Sequence, residues 1–380
     1  MGLSRFFRKI TFVASLLSLN LTVGCLLIDQ CFRQPLAFAR EDAVPGSPYI
    51  SGRGAAMGDA ILPLADDASA LFYNPAGLAK IRDTSFEPFN FNLYAGTGYL
   101  DHIGPGNFYK VPSLAANQGT LVSNQGNFIG VGGEYFPSFR MHGFAFGVLL
   151  NSEVGAIANI NGALTYRSLY QLIPTAGYGI RLADGIVRIG YSLQWINQAS
   201  GDISIPQTTV NPGYNQNLAQ GSTFSHNVGF ALTLPYTYLP SFNVVARNIG
   251  GAHFNTTSIY SFTPDSTGAP PDDAMSLDAS LSLVTKLGGA DRINWVFEDR
   301  DFSNSSGVEF LGRMAIGTEY IYNDMFFLRG GWGSGYPSAG IGARGKKGEF
   351  ALSWFSEELG QTYHSMRDER YMLSFSVRAF

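Results

Sequence analysis

The chain has 380 residues, a formal net charge of -4, 14% charged residues, 14% aromatic residues and 45 glycines. Average soluble domains carry roughly 25% charged residues and about 7% glycine, so an ordinary water-soluble enzyme surface is excluded, as is a disordered chain by the 45% hydrophobic content. A mean hydropathy of +0.04 is too polar for a bundle of transmembrane helices and suits a β protein whose outer surface meets lipid.

Arg5, Arg8 and Lys9 precede an apolar run from Ile10 to Ile28, the pattern of an export signal. Ala37-Phe38-Ala39 then places small residues at both positions that signal cleavage requires, which predicts a signal peptide over residues 1–39. An uncleaved helical anchor is the alternative for an apolar run of this length. Cys25 and Cys31 both lie in the signal, so no disulfide framework is expected after it. Removing Arg5, Arg8, Lys9, Arg33 and Asp29 takes the net charge from -4 to -7. Without a Lys/Arg cluster to neutralise phosphates, nucleic acid is not an expected partner.

Between Arg53 and Ile81 a period-two pattern is absent and the chain is Ala-rich and turn-rich. Asp66 or Asp67 is placed to cap a short helix whose Ala70, Leu71 and Phe72 face inward. Asn74-Pro75 ends it, because the residue before proline is pushed out of the helical region. The apolar content predicts a packed segment rather than a solvated linker.

From residue 84 the dominant period is two. Val187, Ile189, Tyr191, Leu193 and Trp195 share one face, with Arg188, Gly190, Ser192 and Gln194 on the other. The alternation recurs in Phe144 to Leu150, Val228 to Leu234, Leu277 to Leu283, Ile293 to Phe297 and Phe350 to Trp354. A soluble sandwich covers its wet face with Lys and Glu, whereas Gly, Ser and Ala here suit the crowded interior of a barrel with lipid outside. Fifteen candidate strands run from 84–100 to 368–380. The least clear break, Tyr166 to Leu172, separates 158–168 from 170–182, and because single-chain bacterial barrels favour even numbers, fourteen strands are expected. Ala183-Asp184-Gly185, Gly288 to Asp291, Asn323-Asp324 and Lys346-Lys347-Gly348 read as short turns. Asp101 to Gln118, Ser200 to Gly221 and Ala252 to Asp273 read as longer loops, the asymmetry of an outer-membrane barrel. Tyr371, Leu373, Phe375 and Val377 alternate ahead of Phe380, like a terminal strand read by the barrel-assembly machinery.

No catalytic constellation is present. The five histidines are isolated from one another and from Glu at metal-ligand spacing. Ser338 lacks the glycine two places before it that a nucleophile elbow needs. Asp299, Asp301, Ser303 and Glu309 lack the turn glycine of a calcium loop and read as an acidic polar turn. No catalytic residue, metal or cofactor is therefore expected. Arg181, Arg188, Glu298, Arg313 and Glu319 stand in otherwise apolar strands, where they either tether the N-terminal segment and line a passage or form ordinary lumenal salt bridges.

The block from Gly54, above all the Ala-Asp-Asp-Ala-Ser-Ala-Leu-Phe-Tyr-Asn-Pro-Ala-Gly-Leu-Ala string from Ala65 to Ala79, resembles the FadL/TodX family of outer-membrane transporters of hydrophobic compounds. The resemblance is specific within this block and extends to the rest of the chain in architecture. It implies an all-β, transmembrane antiparallel barrel over 84–380, with residues 40–83 folded inside as a hatch that includes Asp66, Asp67, Asn74, Pro75, Ala76 and Gly77. It further implies a bacterial outer-membrane location, with outer-membrane lipids and the barrel-assembly machinery as partners. The implied ligand is a hydrophobic small molecule, long-chain fatty acids in the type case, captured outside and released sideways through a gap in the wall. PorV-type barrels of a secretion system share the block, and Phe327 to Trp332 looks like that group. A scaffold or shuttle for protein secretion is accordingly the alternative.

Overall fold

The computed structural model describes residues 47–103, 113–209, 213–360 and 363–380. The expected signal peptide, with both cysteines, lies outside the described residues.

The period-two pattern folds into one antiparallel sheet. β1 (Ser85–Glu87) and β2 (Phe89–Gly96) are halves of one stave interrupted at Pro88. β3 (Ile129–Tyr135) and β4 (Ser138–Met141) are halves of the next, interrupted at Phe136-Pro137. Proline cannot donate to the ladder, so strands break there. β5 (Phe144–Ala158), β6 (Ala163–Leu182), β7 (Val187–Pro206), β8 (Ala219–Thr233) and β9 (Ser241–Arg247) follow. β10 (Ser276–Gly288), β11 (Asp291–Asp299), β12 (Met314–Tyr322) and β13 (Phe326–Gly333) come next. β14 (Tyr336–Arg344), β15 (Gly348–Glu358) and β16 (Arg367–Val377) complete the series. Each stave pairs with the next, and β16 closes on β2 with Leu373 opposite Leu93. With the two interrupted staves counted once each, the ring is a closed barrel of fourteen.

The expected break at Tyr166 to Leu172 is absent. β6 runs through it, with Leu169 opposite Glu153 and Tyr170 opposite Ser152. Arg167 and Ser168 look like an interruption in sequence, yet Arg167 simply meets Asp202 across the β6–β7 ladder at 2.7 Å. The loop expected from Ser200 is also shorter, since β7 continues to Pro206. Within the expected loop Asp101 to Gln118, the chain forms parts of two helices, Thr97–His102 and Leu114–Ser123.

Alternation sorts the two faces as the sequence indicates. Ile189, Tyr191, Trp195, Phe224, Phe230, Phe350, Leu352, Leu373 and Phe375 are exposed on the outside, while Gly190, Ser192 and Gln194 are buried within. An apolar exterior on a closed ring is the surface of a transmembrane barrel, which leaves no sheet edge for lipid to meet. The predicted turns at Ala183–Gly185, 289–290, 323–324 and 346–347 all fall on one rim. Asn323 and Asp324 have φ of 55° and 54°, the left-handed pair that two-residue hairpins demand. The longer connections lie on the other rim. There the helices Thr97–His102 and Leu114–Ser123 help bury Tyr99, Leu114, Leu121, Ile129, Val154, Leu164 and Tyr166 in a second apolar cluster.

Candidate functional site

The segment from Tyr49 to Ile81 forms most of the main buried cluster and meets inward faces around the ring. Its local structure is set by caps. Ser51 caps the helix Gly52–Ala56, accepting from Gly54 N at 2.9 Å. Of the two candidate aspartates, Asp67 is the cap, accepting from Ser69 N at 2.9 Å ahead of the 3-10 turn Ala68–Leu71. The Asp66 side chain is 55% exposed and lies 3.6 Å from Arg53. That turn stops at Leu71 with Phe72 as its C-cap, ahead of the expected stop at Asn74-Pro75, and Asn74 instead caps the next turn, Pro75–Lys80, through Ala76 N at 3.0 Å, with Pro75 in the first turn, where its missing N–H costs nothing. Gly77 is required by crowding, because a Cβ there would lie 2.2 Å from Ala65 O.

Wall glycines form the seat. A Cβ at Gly190 would fall 2.0 Å from Pro75 O, and one at Gly333 would fall 2.0 Å from Gly58 O. Backbone thus lies on backbone in two sectors of the ring, β6–β8 and β12–β13. Polar groups fasten the segment between and beside them. Ser192 and Gln194 donate to Leu71 O at 2.9 and 3.2 Å. Arg247 donates to Phe72 O and Tyr73 O at 2.5 and 3.0 Å while paired with Asp278. Ser338 donates to Ala56 O at 3.1 Å and Ser353 to Gly52 O at 2.7 Å.

The five charged residues singled out in the strands do not share one place. Glu298 is buried and accepts from Leu62 N at 3.2 Å. Glu319, 0% exposed, receives Arg53 at 2.5 Å, Arg329 at 2.9 Å and Asn294 at 2.9 Å. Arg188 donates to Thr233 Oγ1 at 2.6 Å. Arg313 lies near the long-loop rim, donating to Asp301 O at 2.5 Å, and Arg181 is exposed beside the turn at Ala183–Gly185. Asp301 organises an acidic polar turn, accepting from Ser303, Ser305 and Ser306. Arg247, Arg329 and Arg370 were not singled out, although each is buried on the inward face, where Asn243, Gly331 and Asp368 share its phase with the buried Val245, Phe327 and Met372. That phase is the signal that could have found them.

An aromatic cluster joins the segment to the interrupted staves. Phe136, fully buried, lies 5.2 Å from Tyr49 and 5.1 Å from Phe72 between ring centroids. Its ring covers Gly147 on β5, whose added Cβ would meet it at 2.5 Å. A separate cavity lies between the segment and β1, β2 and β14–β16; its walls include Arg53, Asp67, Glu87, Arg344, Glu349 and Ser376. Among the described residues there is no group of three or more His, Cys, Asp or Glu side chains able to hold a metal ion.

No family model matches the chain, and no curated protein matches it. Among solved structures, the chain is similar to the CymD monoaromatic hydrocarbon channel, at 10% identity and TM-score 0.49, covering 90% of this chain and 98% of that one. It is similar to the Pseudomonas putida toluene transporter TodX, at 12% identity and TM-score 0.48, covering 88% and 98%. A Pseudomonas aeruginosa FadL homologue is similar at 15% identity and TM-score 0.45, covering 88% and 99%.

Proposed function

We propose that this barrel resides in a bacterial outer membrane and passively admits hydrophobic small molecules, long-chain fatty acids among them, with residues 40–83 acting as a hatch. The Ala65 to Ala79 string and the apolar exterior support the reading. Glu298 and Glu319 tether the hatch, and outer-membrane lipids surround the wall. In this reading β16, followed by Phe380, is the strand taken by the barrel-assembly machinery.

The observation that carries the mechanism is the pair of proline interruptions in adjacent staves. Pro88 and Pro137 each remove a ladder donor, and the register slips between Glu87 opposite Ser138 and Phe91 opposite Tyr135. The ladder is interrupted there, bridged by Phe136 N to Asn90 O at 2.9 Å and Val148 N to Pro137 O at 3.2 Å, and the Phe136 ring covers the break from within against Phe72 and Tyr49. An axial exit would disrupt the polar fastenings of the hatch and cross a charged cavity. A sideways exit requires Phe136 and its aromatic neighbours to yield. The apolar cluster beneath the long-loop helices is where a greasy ligand first leaves water.

Uptake of radiolabelled oleate and toluene, by cells expressing this chain in place of their own hydrophobic-compound transporters, tests the reading. Expression is expected to raise uptake of at least one probe, and Phe136→Ala to change that rate several-fold while the protein keeps its heat-modifiable migration. Uptake equal to empty cells overturns the transport reading. Unchanged uptake by folded Phe136→Ala overturns the sideways route alone.

A further inference from the structure

Inside the short-turn mouth of the barrel three cations gather without an ion-pair partner. Arg181 on β6 and Arg188 on β7 stand directly opposite each other in the ladder. Both face inward. Arg181 is two residues beyond Gly179, where an added Cβ would lie 2.5 Å from Ala79 N, and Arg188 is two before Gly190, where one would lie 2.0 Å from Pro75 O. Side chains two apart on a strand share a face, so both guanidiniums project from the wall on the short-turn side of the seat for Pro75–Lys80. Lys80 ends that turn and brings a third positive charge from the N-terminal segment, near enough to Arg188 for the two charges to act on each other.

Directly opposed residues on one face have Cβ atoms about 4.5–5.5 Å apart, and like charges placed so are destabilising. Further along the same ladder Arg167 is answered by Asp202 opposite it. Nothing answers Arg181 and Arg188. Among the described residues neither of them, nor Lys80, is in an ion pair, and Asp184, exposed in the turn that joins the two strands, pairs with neither. Of the carboxylates that act on Lys80, Asp66 is shared with Arg53 at 3.6 Å and Asp67 is engaged by Ser69 N at 2.9 Å.

The donors are underused as well. Arg188 Nη2 donates to Thr233 Oγ1 at 2.6 Å, and that hydroxyl is 2.9 Å from Ser241 Oγ. Arg188 Nε is buried and has no hydrogen-bond partner among the described residues, a costly state for a charged donor. Lys80 spends one of its three donors on Pro63 O at 2.6 Å. Burial pushes its ammonium down to about 8; Arg188 and Arg53 push the same way, and Asp66 and Asp67 oppose them. An oxyanion meets both deficits at once. Its charge offsets the opposed arginines, and its oxygens accept from the Nε edge of a planar guanidinium, the geometry that suits carboxylate and phosphate.

We infer that Lys80, Arg181 and Arg188 form an oxyanion site inside the short-turn mouth, taking a sulfate, phosphate or carboxylate group. Because Lys80 belongs to the N-terminal segment and the arginines to the wall, an occupant fastens one to the other. The site is independent of the transport reading and survives its failure.

The test is thermal unfolding of the full chain in detergent with millimolar sulfate, against chloride at equal ionic strength. Arg181→Gln removes one of the opposed charges without breaking a hydrogen bond between described residues, and Lys80→Gln removes another while keeping a donor for Pro63 O. The unfolding temperature of the unsubstituted protein is expected to rise saturably with sulfate. Half-saturation should move roughly tenfold upward in either variant, the worth of one charge-assisted hydrogen bond. In chloride alone Arg181→Gln should unfold at a higher temperature than the unsubstituted protein, because the opposition to Arg188 is relieved; an arginine with a merely structural role would lower it. Chloride matching sulfate overturns the site, as does a sulfate effect that persists unchanged in both folded variants. Should one variant fail to migrate as a folded species, the other decides. In nanodiscs, sulfate binding competed by phosphatidylglycerol but not by phosphatidylcholine supports a lipid headgroup as occupant; binding unaffected by either supports a free anion.

Discussion

Gly190→Ala is the sharpest probe of how the N-terminal segment is seated. The new Cβ would lie 2.0 Å from Pro75 O and 2.5 Å from Ala76 N, whereas ordinary contact begins at 3.4 Å. Both obstacles are backbone, so a rotamer change cannot relieve them, and the turn at Pro75 must retreat by about 1.4 Å. Overpacking of this kind costs about 1–3 kcal/mol. The retreat also strains the bonds from Ser192 and Gln194 to Leu71 O and from Asn74 Nδ2 to Leu62 O at 3.2 Å, each worth about 1 kcal/mol. A loss of about 2–4 kcal/mol follows for the seated state, which raises the unseated population roughly 30- to 800-fold at tenfold per 1.4 kcal/mol. The wall itself keeps its ladder, because alanine is acceptable inside a strand. Limited trypsin digestion after Arg53 and Lys80 in the detergent-purified protein reads the unseated population, provided that opening and closing outpace cleavage. Gly119→Ala, with nothing within 4 Å of its new Cβ, is the control. Digestion of folded Gly190→Ala at the rate of the unsubstituted protein would refute the argument that backbone contact on the wall holds this segment.

Two further outcomes are expected. Glu319→Gln leaves Arg53 and Arg329 buried without their shared counter-ion, and breaking a buried pair costs about 3–5 kcal/mol; the heat-modifiability transition should fall clearly, and a shift equivalent to less than 1 kcal/mol would contradict the burial argument. In the connection between β9 and β10, local desolvation of its carboxyl in an otherwise exposed residue, with Asp272 beside it, pushes Asp273 up to about 6, and the hydrogen bond that His253 donates to Asp272 raises His253. A carboxyl raised in the folded state lends stability that is complete below its unfolded range and lost as pH rises through about 6. The raised histidine lends stability present below its unfolded value and lost above its folded one. The opposing effect of Asp272, whose carboxyl is lowered by its bond to His253, is lost only as pH falls below the ordinary carboxylate range. Hydrogen exchange across residues 252–273, corrected for intrinsic rate, should show more protection at pH 5 than at pH 7.5. Asp273→Asn should flatten the difference, and equal protection in the unsubstituted protein would contradict the prediction.

The sequence by itself determined the barrel. Alternation with Gly and Ser on the reverse of Ile189, Tyr191 and Trp195 leaves only one arrangement that buries the small face and offers the large one to lipid, and the short turns mark one rim. It also narrowed one cap to Asp66 or Asp67, because caps are read from a few adjacent positions, while Asn74, read as a stop, turned out to cap the next turn. The course of β6 through Tyr166 to Leu172 was decided by its neighbours: a polar Arg167 is tolerated in a strand once Asp202 stands opposite it. The division of labour between Asp66 and Asp67 was likewise tertiary, since both fit the local rule and only packing exposes one. Arg53 meeting Glu319, the recess at Gly190 that admits Pro75, and the placing of Phe136 at two adjacent proline breaks join residues far apart along the chain. Closure of the ring alone brings those partners together, and no local periodicity encodes such pairings.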